Sequence, residues 1–109
     1  MEIQLDFITG QDEKGEDIVE TKTFVANSPK ALLVRRATEL EKEVNFSHFT
    51  PETLDLVADY ICQIYKNKFT RDDLYNGLDS DKLFSTYTSS VERIIHGAVS
   101  RLETFPQEQ

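Results

Sequence analysis

The spacing between apolar residues changes once along this chain, from two to between three and four, and that change limits what it can fold into. In "EIQLDFIT", Ile3, Leu5 and Phe7 fall on one side and Glu2, Gln4 and Asp6 on the other. A period of two is that of a half-buried strand. "GQDEKGED" (10–17) carries two glycines, five charges and no apolar residue, which reads as a solvated turn. "IVETKTFV" (18–25) is β-branched and aromatic and reads as the returning strand. Residues 1–27 thus predict a β-hairpin. A two-stranded ribbon is marginal by itself in water, so one of its faces must lie on helices or on another subunit.

From Ser28 onward the pattern is helical. Ser28-Pro29 pairs an N-cap hydroxyl with a proline at the first helical position, where its missing N–H costs nothing. Leu33, Ala37, Leu40 and Val44 then form a stripe, flanked by Leu32 and Arg36, until "NFSHF" breaks it. Thr50-Pro51-Glu52 repeats the device and opens a second helix with Leu54, Val57, Ile61, Ile64 and Tyr65 on one side. Thr70 starts a short third helix, with Asp73 placed to answer it across a capping box. Gly77 reads as its stop, a glycine just past the last turn. Asp79 or Ser80 caps a fourth helix whose stripe runs through Phe84, Tyr87, Val91, Ile94, Ile95, Ala98 and Leu102.

The expectation is an α+β fold: an N-terminal β-hairpin packed on a small bundle of three to four α-helices. A length of 109 residues suits a single domain, with a hairpin (1–27), a helical part (28–103) and a flexible tail (104–109). The net charge of −8 is uneven: residues 1–27 carry −5, residues 28–49 carry +1, and residues 50–109 carry −4. A field of that sign repels phosphate backbones, which argues against nucleic acid and favours a basic protein partner. The single cysteine, Cys62, permits no intramolecular disulfide. The N-terminus has no basic stretch followed by an apolar run, and no segment reaches membrane-spanning length. A cytoplasmic protein without membrane contact is expected.

The stretch "YKNKFTRDDLYNGLDSDKL" (65–83) invites three chemistries, since it crowds four aspartates, two asparagines and a glycine between two helices. Placing Gly77 at the sixth position of a calcium loop puts Leu74 at the third and Leu83 at the twelfth, where carboxylates are required. No metal site is expected. A helix-turn-helix reading with Lys66, Lys68 and Arg71 puts Asp72 and Asp73 where phosphates and base edges would sit, which opposes binding. Catalysis lacks its parts. His48 and His96 have no acid or nucleophile at a telling spacing, Cys62 has no evident base, and no phosphate loop or CxxC occurs. We expect no enzyme and no cofactor. The aspartates read instead as helix-start devices, Asp72 and Asp73 for one helix, Asp79 and Asp81 for the next, each contributing about 0.3–1.5 kcal/mol.

Taken whole, "DLVADYICQIYKNKFTRDDLYNGLDSDKLFSTYTSSVERIIHGAV" (55–99) resembles the C-terminal half of tail assembly chaperones from long-tailed, non-contractile phages and prophages of Gram-positive bacteria. A helix ends in an aromatic, Tyr65, and "NKFT" with an acid-rich first turn follows. "LYNGLDSDKL" comes next, and the last helix ends in small and aliphatic residues. The polar hairpin and the Ser-Pro helix ahead of it agree with that family's layout. Two positions depart from it: Lys66 stands where such sequences often carry glycine, and "LFSTYTSS" lacks a proline near the start of the last helix.

The resemblance implies a non-enzymatic protein that binds the tape measure protein transiently, keeps it soluble during tail morphogenesis and is absent from the mature virion. It also implies contact with the tail tube protein through a frameshifted longer product, and a homo-oligomer, since many copies would coat one tape. Such a binder needs an amphipathic groove for apolar helix faces. Candidate partner-binding residues are Phe69, Leu74, Tyr75 and Leu78 around the third helix, with Phe84 and Tyr87 on the fourth. Leu74 and Leu78, four apart, fit better as core that holds the third helix down, while Phe69 and Tyr75 fit core and surface equally well. Two other readings stay open: a small structural phage protein of the neck or tail-completion kind, and a bacterial adaptor or regulatory binding module.

Overall fold

A computed structural model describes residues 1–27, 29–45 and 47–104, the stretch 98–104 by its backbone course alone. Strands β1 (Glu2–Gln11) and β2 (Asp17–Val25) form an antiparallel hairpin, followed by helices α1 (Ala31–Glu43), α2 (Pro51–Ile64), α3 (Arg71–Gly77) and α4 (Leu83–Thr104). A single 3-10 turn, Ser80–Lys82, leads into α4. The architecture is α+β, as the change of period predicts.

Hairpin register follows from both ends of the ribbon. Asp12 Oδ1 accepts from the N–H groups of Lys14 (2.8 Å) and Glu16 (2.9 Å), and Gly15 takes a positive φ of 81° to close the turn. At the open end Ala26 N–H donates to Met1 O and the N-terminal ammonium donates to Ala26 O. Between them Ile3 faces Phe24, Leu5 faces Lys22 and Phe7 faces Glu20, until a bulge at Thr9 shifts the register. Ile3 and Leu5 are buried against the helices. Burying each such side chain contributes about 1.5–3 kcal/mol, enough to hold a ribbon that would not persist free.

Helix α2 is the axis of the helical part. Val57, Ala58, Tyr60, Ile61, Cys62 and Ile64 are all buried in it, a wider apolar surface than a one-sided stripe. The spacing of Leu54, Val57 and Ile61 misses Tyr60, whose hydroxyl donates to Leu33 O at 2.8 Å and ties α2 to α1. Thr50 caps α2 with Pro51 at its first position, and the reciprocal bond comes from Thr53 Oγ1, which accepts from Thr50 N–H at 2.9 Å.

Three boundaries differ from expectation. Helix α1 opens at Ala31 behind an extended Lys30 with no side-chain cap, so Pro29 precedes the helix rather than starting it. Ser28, the expected cap, lies outside the described residues, as do the side chains of Ala98 and Leu102 and the tail beyond Thr104. Asp79 makes no cap bond and pairs with Lys82 at 3.8 Å.

Gly77 is not a left-handed stop. It is the last residue of α3, and the cap position falls to an extended Leu78. Its role is proximity: a Cβ there would lie 2.7 Å from Asp6 O and 3.2 Å from Leu5 Cβ. Only glycine lets the end of α3 rest on the backbone of β1.

Candidate docking surfaces

Between β2 and α2 the packing is aromatic. Phe7, Phe24, Phe69 and Tyr65 follow one another with ring centroids 6.3, 4.9 and 5.6 Å apart. Phe69, a candidate partner-binding residue, is the ring that joins hairpin to helix, and it is buried. Leu74 is fully buried beneath α3, and Tyr87 is buried with its ring edge-on to Tyr60 at 5.8 Å. These three side chains hold elements together and present no surface. Leu78 and Phe84 are half-buried, Phe84 stacked on Phe49 at 4.4 Å. Tyr75 alone of the six is exposed.

Around Tyr75 the α2–α3 corner is polar. Its hydroxyl donates to Asp55 Oδ1 at 2.8 Å, and Arg71 reaches Asp59 at 3.2 Å and Asp55 at 3.7 Å. Partial burial, then the bond to Asp55, raises the phenol pKa above its ordinary value. The third helix itself is held by the expected box: Thr70 Oγ1 accepts from Asp73 N–H and Asp73 Oδ2 from Thr70 N–H. So Asp55, Asp59 and Asp73 serve backbone, Arg71 and Tyr75. Among the described residues, no group of three or more His, Cys, Asp or Glu side chains is arranged to hold a metal ion. Burial, with Asp59 and Asp73 nearby, pushes the Cys62 thiol up to about 11, which keeps it protonated and unreactive.

Exposed apolar surface lies elsewhere. On the hairpin, Ile8, Ile18 and Val19 are 67%, 46% and 55% exposed, and Leu32 stands free on α1. Reading only the alternation of β1 hides this. The signal was in the doublets Phe7-Ile8 and Ile18-Val19, which place apolar side chains on both faces of the ribbon at once. A second surface is an open groove of about 450 Å³ lined by Glu41 of α1 and by Val91, Glu92, Ile95 and His96 of α4. Its floor is aliphatic and its walls carry two carboxylates. No helix among the described residues is long and apolar enough to cross a membrane.

Compared with known proteins, residues 3–108 match the model of a family described as phage tail chaperone protein. No curated protein and no solved structure matches the chain.

Proposed function

The chain belongs to the phage tail chaperone family, and on that premise we propose that it binds the tape measure protein in the host cytoplasm while the tail is built and leaves before the virion is complete. The role is non-catalytic. The observation that carries this reading is the family match across nearly the whole chain. The groove between α1 and α4 adds a physical reason. Val91 and Ile95 offer aliphatic floor to one stripe of a helix, while Glu41 and Glu92 face its basic flanks. A shallow floor suits a partner that must be released, because few side chains become deeply enclosed.

Co-expression with the candidate tape measure protein tests the reading. The tape becomes soluble and co-purifies, and Ile95→Asp reduces that recovery while circular dichroism stays that of the wild type. A tape that pellets equally with and without this chain rules the assignment out. Mass spectrometry of purified virions separates a chaperone, which is absent, from a neck or completion component, which is retained.

A further inference from the structure

We infer that β2 is a self-pairing edge, and that two copies of this chain join through it into one four-stranded antiparallel sheet. The sheet has two strands in the order β1–β2, so β2 has a free side. Which groups face that side follows from the hydrogen bonding. Met1 and Ala26 exchange both of their backbone bonds. In an antiparallel ladder such pairs alternate with pairs that exchange none. The register therefore turns the N–H and C=O groups of Val19, Thr21, Thr23 and Val25 away from β1. Lys68 Nζ donates to Val25 O at 3.2 Å, which fits that direction and plugs one end of the edge. Val19, Thr21 and Thr23 keep outward backbone groups with no partner among the described residues. Natural proteins shield such edges; no helix among the described residues lies along this one.

Charge selects both the occupant and its register. Outward groups sit on odd-numbered residues, and the two-fold axes that keep most of β2 (Asp17–Val25) paired with its copy lie at residue 20, 21 or 22. An axis at 20 sets Glu20 against Glu20, and an axis at 22 sets Lys22 against Lys22. The axis at Thr21 instead places Glu20 of each copy opposite Lys22 of the other, twice, with Thr21 beside Thr21 and Val19 beside Thr23. The strand is self-complementary, as an isologous contact requires. That register also sets exposed Ile18 beside Phe24 of the second copy, whose own ring already leans on Phe69. Lys22 lies on the face it shares with Glu20, its ammonium 5.0 Å over the Phe7 ring.

The inference uses the hairpin alone and stands separately from the tape measure reading. Sedimentation velocity on the full chain over a concentration series up to about 1 mM tests it. Wild type shifts reversibly from monomer to dimer. Lys22→Glu and Glu20→Lys each set like charges opposite one another in two places and weaken the dimer by about tenfold. An equimolar mixture of the two single variants recovers association, because both acids of the first variant then face both bases of the second. The double variant E20K/K22E recovers it too, since the charges are exchanged and each still meets its opposite. A wild type that remains monomeric throughout overturns the inference. So does association that the single substitutions leave unchanged, or that neither the mixture nor the double variant restores.

Discussion

At the turn after α2, two consecutive residues without the freedom of glycine hold left-handed backbone: Lys66 with φ 56° and Asn67 with φ 57°. Asparagine tolerates this region; lysine bears a cost of about 1–2 kcal/mol from its Cβ. The turn keeps the shape because its amides are used. Tyr65 and Asn67 N–H both donate to Cys62 O, and Lys66 N–H donates to Gln63 O. The lysine at this position thus adds strain and leaves the turn's geometry in place. Lys66→Gly is expected to raise stability by about 0.5–1 kcal/mol, less than the whole strain because glycine also gains freedom when unfolded. Urea denaturation reads this directly, and an unchanged or lower midpoint contradicts it.

Between elements, the hairpin is held at two places: the ring sequence from Phe24 to Tyr65, and the contact of Gly77 with Asp6. Gly77→Ala should therefore lift α3 off β1 and cost about 2 kcal/mol. Gly10→Ala, whose Cβ would meet nothing within 4 Å, should stay within about 0.5 kcal/mol. Equal effects on the two denaturation midpoints would refute the contact. These positions also show what could be read in advance. The bond pair of Thr70 and Asp73 spans three residues, so spacing alone reveals it. Gly77 meets the carbonyl of Asp6, far from it along the chain, and nothing near it in sequence distinguishes a close approach from a helix stop. The burial of Phe69 escapes for the same reason, since its neighbour Phe24 belongs to a strand far along the chain. Helix α1 begins late because Lys30 stays extended with no side-chain cap bond, which the residue types ahead of it do not announce.

For the molecule as a whole, the four tyrosines make its alkaline limit. Burial, then the neighbouring Tyr87, pushes Tyr60 up to about 12, and burial also raises Tyr65, Tyr87 and Tyr75. The fold favours the neutral phenols. Their contribution is complete below the ordinary value near 10 and is lost as pH rises through the higher folded values, because the unfolded chain ionises first. Phenolate absorbance and loss of helical circular dichroism should rise together between about pH 10 and 12. Four phenolates appearing near pH 10 with the dichroism intact would refute this. The same molecule-wide view gives a consequence to Gly77. Asp6 belongs to a pair that exchanges no ladder bonds with β2, so its amide and carbonyl point to the margin of β1, where α3 ends on them. The β1 rim is stoppered in its middle, at Asp6, and the β2 rim lies open from Val19 to Thr23. A protein with a single bare rim can couple strand to strand once and then has nothing left to offer, so this hairpin has no route to an open-ended fibre.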